Sequence, residues 1–592
     1  MLGVDTGGTF TDAVAADGTI AKVPSTPDDP SSAVRSAIER LAQPADVLAH
    51  GTTVATNALL ERRGATVALV TNRGFADVIE IGRQDRPSLY DPFADRPAPL
   101  VPRDLRLEVG GRIGPDGREL AAVTVDGLLP LPSSVESVAV CLLHSDLCPS
   151  HERAVAGLLT DAGYDVSCSI DVSPEFREFE RILTTVVNAY LRPTCRPYLD
   201  RLRALADEVL VMTSAGGLMP VEVASELPAT LLLSGPAGGV LAGAAAAVAN
   251  GYPDAITFDM GGTSTDVCLV RDGAPEGAAE RTVGGFPIRL PSLDVHTIGA
   301  GGGSIARLDS GGALTVGPRS AGAVPGPACY GRGGTEPTVT DADLVLGRIP
   351  AGHAFAGLGT LDVDAAQAAL AQAHVSARGV IDVVNAAMEQ ALRSVSVQRG
   401  VDPRTLALVA FGGAGPLHAC ELADALGMAC VIVPARAGVL SAVGMLAAPR
   451  QRELVRSWPT PSSLSGLDVA RAELASAAGA LVGAAAQTST ALDVRYAGQS
   501  HELTVGSTDE FHDEHRRRNG YARPDAPVEV VALRATASIA SPIGIGTLPP
   551  VARDGATGPA VIAEVDCTIW VPDGWVATPG AAGALVLTRG SS

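Results

Sequence analysis

The octapeptide Asp5-Thr-Gly-Gly-Thr-Phe-Thr-Asp12 returns as Asp259-Met-Gly-Gly-Thr-Ser-Thr-Asp266, identical at six of eight positions across 254 residues. Each copy follows a short apolar run (1–4 and 255–258) and leads into another (13–16 and 267–270), a pattern that reads as strand, tight turn, strand. A hairpin used twice obliges the fold to present two equivalent turns, and the residue types say what those turns can hold. The glycine pairs Gly7-Gly8 and Gly261-Gly262 permit positive φ and put no Cβ in the way, so backbone N–H groups can converge on an anion. Thr6, Thr9 and Thr11, with Thr263 and Thr265 in the second copy, add hydroxyl donors. The leading carboxylates, Asp5 and Asp259, would repel a polyphosphate unless a divalent cation lay between. The pattern therefore points to a Mg²⁺-bridged nucleotide, clamped between two loops.

At 592 residues the chain is too long for one core and predicts two to four domains. It is rich in glycine (66 residues), poor in aromatics (4%) and 18% charged, which suits an α/β protein with many tight turns. A net charge of −21 argues against a nucleic-acid or anionic-membrane surface, so a bound nucleotide would have to be met by local donors and a metal. No apolar run reaches the roughly 18–20 residues of a membrane span, and the first strand begins at once, leaving no room for a signal peptide. A cytoplasmic location is expected. Nine scattered cysteines without a C-x-x-C pair predict reduced, mostly buried thiols.

Further along, His50-Gly-Thr-Thr-Val-Ala-Thr-Asn57 lies at a strand-to-helix junction, where donors gather at a helix N-terminus. The tract Ser173-Pro-Glu-Phe-Arg-Glu-Phe-Glu-Arg181 reads either as a solvated, salt-bridged face or as a cleft lining. A third glycine cluster, 299–303, offers more N–H donors, Gly301 and Gly302 among them. The Pro- and Gly-rich stretch 317–343 is a long loop of the kind that is often functional. A strand at 406–411 then enters Gly412-Gly-Ala-Gly-Pro-Leu-His418. That turn lets a flat base or ribose approach the backbone, although its spacing is not the dinucleotide G-x-G-x-x-G. After a Pro/Ser-bearing linker near 456–465, strand-like runs at 492–505, 527–540 and 559–588 predict a small β-rich C-terminal domain.

Two D-x-G-G-T hairpins with a later F-G-G-A-G turn resemble the actin/sugar-kinase/heat-shock ATPase superfamily. More narrowly, residues 3–12, 50–57, 258–266, 299–304 and 411–418, with Arg495-Tyr-Ala-Gly-Gln-Ser500 and Phe511-His-Asp-Glu-His515 in the tail, resemble the hydantoinase A/oxoprolinase family over nearly the whole chain. The resemblance implies an α/β fold of duplicated actin-like (ribonuclease H-like) domains, 1–200 and 201–455, with a nucleotide cleft between them and the β-rich domain at 456–592. It implies ATP and Mg²⁺, with Asp5 and Asp259 on the metal. Thr6, Gly7, Gly8, Thr9, Thr11, Gly261, Gly262, Thr263, Gly301 and Gly302 would serve the phosphates, and Gly412, Gly413 and Gly415 the adenosine. Asp12, Asp266 and His418 are the candidate catalytic groups, the two aspartates having a turn-bracing role as the alternative.

By the same resemblance, the activity is ATP-dependent phosphorylation of a cyclic amide carbonyl (hydantoin, 5-oxoproline or another lactam) for ring-opening hydrolysis, with a B-type subunit as partner. Two alternatives stand beside it: a subunit of an ATP-dependent ketone carboxylase, and an ATP-binding regulatory or chaperone-like module. The isolated histidines His50, His512 and His515 read as packed or surface residues rather than bases or metal ligands.

Overall fold

In the computed structural model, which describes residues 1–590 except 27–28, 44–45, 85 and 353–358, both hairpins form with the same register. Leu2–Thr6 pairs antiparallel with Phe10–Ala15, setting Asp5 opposite Asp12. Ala255–Met260 pairs antiparallel with Thr265–Arg271, setting Asp259 opposite Asp266. On its other edge each leading strand takes a parallel partner, Val47–Thr52 in the first copy and Ala407–Phe411 in the second. Each outer strand takes an antiparallel one, Ile20–Pro24 and Val295–Ile298. The fold is mixed α/β, and these meanders lie in two large sheets of ten and nine strands. A third sheet, of five strands, is centred on Val67–Asn72.

The strands expected after residue 456 are present, but they extend the two large sheets. Val528–Ile539 runs antiparallel along the whole of Arg450–Ser457, from Arg450↔Ile539 to Ser457↔Ala532, and carries Gln487–Tyr496 and Leu503–Val505 beyond it into the first sheet. Leu585–Arg589 and Trp575–Pro579 join the second through Cys430–Val433. The first sheet also crosses residue 200, because Glu208–Met212 pairs parallel with Val47–Thr52. The expected boundaries at 200/201 and 455/456 therefore do not coincide with sheet boundaries. An open sheet edge is a ready template for another strand, and here the tail caps both. It keeps a small core of its own under helix Leu467–Val482, including Leu474, Tyr496, Phe511 and Leu533.

The Glu/Arg tract at 173–181 is not a solvated face. Arg181 is fully buried, donating to Asp146 Oδ1 at 2.6 Å and to the Leu142 carbonyl at 2.8 Å. Glu175, also buried, receives Arg289 at 2.9 Å and Arg534 at 3.2 Å. Arg534 also meets Asp493, and Arg289 meets Glu502. Charges taken out of water persist only when paired and hydrogen-bonded. This network fastens the start of helix Glu178–Leu202 to the Phe286–Ile288 hairpin and to the tail strands.

Helices Gly235–Ala249 and Leu440–Ala447 cross at the centre of the molecule, backbone against backbone. A Cβ at Gly444 would stand 1.8 Å from the Gly238 carbonyl oxygen, and one at Gly3 would stand 2.3 Å from that of Ala442. No larger residue permits this approach. Gly444→Val is expected to cost about 3 kcal/mol or more through forced separation of the helices, read as a lower urea midpoint. Gly157→Ala, a helical position with open space around it, should change stability by no more than about 1 kcal/mol.

Candidate nucleotide and metal site

The two hairpin turns face each other across a cleft of about 620 Å³. A Cβ at Gly262 would lie 3.2 Å from Thr9 Oγ1, so the loops are within contact distance. Gly7, Gly8, Thr9, Gly261, Gly262 and Thr263 all line the cleft. Gly7 N donates to Phe10 O at 3.0 Å and Gly261 N to Ser264 O at 3.1 Å, closing each turn. The N–H groups of Gly8, Thr9, Gly262 and Thr263 have no such partner among the described residues, leaving two pairs of donors for an anion.

Asp5, Asp12, Asp259 and Asp266 all lie on the cleft wall, where the hairpin register makes each loop's pair direct cross-strand neighbours. Like charges in that relation repel. Burial, then Asp12 and Asp266, push Asp5 up to about 7, against the opposing pull of Lys22. Burial raises Asp266 to about 6, while a Thr297 hydrogen bond and Arg281 oppose. Asp12 is raised by burial and held back by Lys22. Asp259 stands well above the usual carboxylate range through burial and its three acidic neighbours. Lys22, 2.7 Å from Asp12 Oδ1, is the one Lys or Arg on the described wall, against five carboxylates counting Asp566. Asp5 Oδ1 is buried without a hydrogen-bond partner. An all-oxygen donor set, an orphaned carboxylate oxygen and excess negative charge fit a hard divalent cation.

The structure separates the remaining candidates. Thr6 and Thr11 are buried and off the cleft wall. Thr11 Oγ1 lies 3.1 Å from Ser25 Oγ, which donates to the Gly7 carbonyl at 2.7 Å, so Thr11 braces the turn. Gly302 reaches the cleft, but its N–H is given to Gly261 O at 3.0 Å, and Gly303 N goes to Gly262 O at 2.7 Å. Gly301, whose Cβ would stand 2.6 Å from Thr263 N, packs behind the loop. This third cluster supports the second turn, and its donors are already taken.

Gly412 and Gly413 line the cleft. Gly412 has φ +80°, and a Cβ there would meet Asp259 Oδ1 at 2.3 Å, so only glycine lets this strand end beside the carboxylate. Gly415 is off the wall and seats helix Gly415–Leu426 against the second hairpin strand, where a Cβ would be 3.4 Å from Phe258 O. His418, one turn further, is fully buried and away from the cleft, its Nδ1 2.9 Å from Asn385 Oδ1 and its Nε2 3.3 Å from Asp343 Oδ2. It packs against neighbouring helices and is not among the cleft-lining residues, unlike the other catalytic candidates, Asp12 and Asp266. His50 is buried between Val4 O and Tyr198 OH, and burial lowers it to about 4, so it is a neutral brace. His512 and His515 belong to an aromatic cluster with Tyr496 and Phe511.

Several wall residues escaped the sequence reading. Lys22 is legible only through register, since Ile20–Pro24 sets it opposite Asp12. The same outer-strand place in the second copy holds Thr297, opposite Asp266 and donating to it. The long loop contributes Pro327 and Tyr330, held to the wall because buried Asp341 accepts from the N–H groups of Ala328, Cys329 and Thr338. Thr53, Thr56 and Asn57, from the 50–57 tract, line the cleft, as do Leu60, Leu233 and Pro236.

The cleft is lined by two acid-and-glycine hairpins, one from each large sheet of a mixed α/β fold. The family models for the hydantoinase/oxoprolinase N-terminal region and for hydantoinase/oxoprolinase match residues 1–163 and 181–453; the chain belongs to the hydantoinase/oxoprolinase family. It is 36% identical to the caprolactamase subunit alpha of Pseudomonas jessenii, over 90% of this chain and 86% of that one. It is also 36% identical to 5-oxoprolinase 1 of Arabidopsis thaliana, over 75% of this chain but 41% of the longer relative. The crystal structure of the ATP-dependent caprolactamase from Pseudomonas jessenii superposes with a TM-score of 0.86 at 32% identity, covering all of both chains.

The elevated carboxylates make a signed prediction. A folded-state value near 7 against an ordinary 3.8 means that the folded protein holds a proton the unfolded chain releases. Stability from this group is full below about 3.8 and is lost as pH rises through about 7. In metal-free buffer, Asp5→Asn should therefore gain at least about 1 kcal/mol on wild type between pH 4 and 8, measured by melting at each pH. A constant difference across that range would contradict it.

Proposed function

We propose that the protein is an ATP-dependent enzyme that activates a cyclic amide for ring opening, working as the A-type member of a two-subunit hydantoinase/oxoprolinase. The observation that carries this reading is the pair of in-register acidic hairpins facing one another across one cleft. We also infer that the repeated meanders are the cores of two actin-like halves, one on each side of the cleft, with the tail strands as additions to both. In this reading Asp5 and Asp259 hold Mg²⁺, and the free N–H groups of residues 8–9 and 262–263 hold the phosphates. Bound there, the metal would neutralise charge on the transferring phosphoryl group.

An amide carbonyl is a poor electrophile, and moving the γ-phosphoryl group onto its oxygen makes the ring carbon open to attack by water. Catalysis of such a transfer rests on positioning and charge neutralisation. Lys22 pairs with Asp12 and opposes the rise that burial imposes on it, and Thr297 orients Asp266. We assign the substrate ring to the end bounded by Leu60, Leu233 and Pro236, with the Asn57 amide beside it. The similarity to caprolactamase subunit alpha and to the ATP-dependent caprolactamase structure supports a cyclic amide.

The assay is phosphate release from Mg·ATP by the chain with its co-expressed partner, across hydantoin, 5-oxoproline, a larger lactam, and acetone with bicarbonate. Stimulation by a cyclic amide is expected; stimulation by acetone only with bicarbonate would replace this reading with a ketone carboxylase. ATP binding without stimulation by any of them would favour a regulatory module. Asp259→Ala should lower turnover at least about a thousandfold with the fold intact, and unchanged turnover would remove the hairpin assignment.

The oxoprolinase relative, of which this match is 41%, extends well beyond the region shared with this chain. We propose that a separate B-type subunit supplies the corresponding module. Co-expressed A- and B-type chains should co-elute in size exclusion, and consistent separation would refute the partnership.

A further inference from the structure

We infer that the turn between the paired strands Ala560–Ala563 and Thr568–Val571 supplies the ribose contact of the nucleotide through the carboxylate of Asp566. The inference rests on the nucleotide reading and extends it to a part of the chain that carries neither phosphate loop.

The cleft has an order. The acidic hairpins adjoin Gly412, where a Cβ would stand 2.3 Å from Asp259 Oδ1, and Ala414, two residues on, packs against an apolar cluster with Tyr330, Ile349, Leu361 and Leu417. Ala437 and Gly438 bridge the first two, since Gly412 N donates to Ala437 O at 2.9 Å and Lys22 Nζ donates to Gly438 O at 3.3 Å. Asp566 is fixed to this bridge, its Oδ2 accepting from Gly438 N at 2.8 Å. The approach is so close that a Cβ on Gly438 would lie 1.8 Å from Asp566 O. A carboxylate here stands between the phosphate end and the apolar end, where the sugar of a nucleotide must lie.

Its chemistry suits that place. One oxygen is held by Gly438, and the carboxylate lines the cleft. A carboxylate repels phosphate but accepts well from the vicinal hydroxyls of ribose. On the same wall, Thr568 is 2% exposed and its Oγ1 has no partner, an unmet hydroxyl next to a base-sized apolar surface. The following residue but one, Trp570, packs against the cluster that holds Ile349, Leu361 and Leu417. Strand Thr568–Val571 therefore runs from the ribose position towards the base. Glu564, Asp566 and Cys567 offer ligand atoms within 4.8 Å of one another, but Glu564 is already engaged by Arg553, which favours the hydroxyl role over a second cation.

The test is equilibrium binding, by calorimetry in Mg²⁺, of ATP, 2′-deoxyATP and 3′-deoxyATP to the full chain. Wild type should bind ATP at least tenfold more tightly than one of the deoxy analogues. Asp566→Ala should bind ATP and that analogue equally, having lost affinity for ATP alone. Asp566→Asn keeps a carbonyl to accept from Gly438 and should fold as wild type by melting, yet lose the discrimination. Equal binding of all three by wild type, or an unchanged ratio in both variants, would overturn the inference. So would Mn²⁺ binding to nucleotide-free protein that Asp566→Ala abolishes, because it would make this a metal site. Failure of wild type to bind ATP at all would instead defeat the nucleotide reading, a result distinct from binding without discrimination.

Discussion

Four carboxylates brought together in a desolvated cleft are the constraint around which the rest of the molecule is arranged. Asp5 opposite Asp12 and Asp259 opposite Asp266 are fixed by hairpin register, so the repulsion cannot be relieved by choosing other rotamers alone. Burial raises every one of the four. Such an arrangement is a poor way to stabilise a fold and a good way to bind a hard cation with a polyphosphate. Two glycine-bearing turns with unused N–H groups at the same place complete the case for an anion beside that cation.

The two copies are not electrically equivalent. The first places Lys22 opposite Asp12, and the second, at the matching position, places Thr297 opposite Asp266. An ammonium group cancels a charge, whereas a hydroxyl only hydrogen-bonds to it. Asp12 thus has a direct ion pair, whereas Asp266 has the Thr297 hydrogen bond and the pull of Arg281. The two hairpins share a register and differ at this outer-strand position.

The hairpins, the strand into residues 412–413 and the mixed α/β character were legible because each rests on local pattern: apolar runs, glycine pairs and repeated aspartates. What was not legible depended on tertiary register. Lys22 carries no motif, and only the pairing of Ile20–Pro24 with Phe10–Ala15 delivers it. Glycines 301–303 look like free donors in sequence, yet Gly302 and Gly303 give theirs to carbonyls of the second hairpin and Gly301 gives its own to the Ser304 hydroxyl. His418 follows a glycine turn on a helix, and helical phase turns it into the core towards Asn385 and Asp343. The tail reads as a separate β domain because strand propensity says nothing about which sheet a strand will join. The Glu/Arg tract stays undecided between a solvated face and a cleft lining because alternation of charge does not reveal the burial of both partners.

The repulsive site has to be held closed by something other than itself. No hydrogen bond links the two turns directly among the described residues, and their approach at Thr9 and Gly262 is set from outside. The crossing of Gly235–Ala249 and Leu440–Ala447, with Gly238 and Gly444 in backbone contact, fixes the spacing between the sheets. The same second helix meets Gly3 in the first hairpin strand through the Ala442 carbonyl. Close-packed interiors transmit strain and do not absorb it, so the cost of gathering the acids is met by packing some distance from them. The glycines at the helix crossing are thus as much a condition of the site as the aspartates that form it.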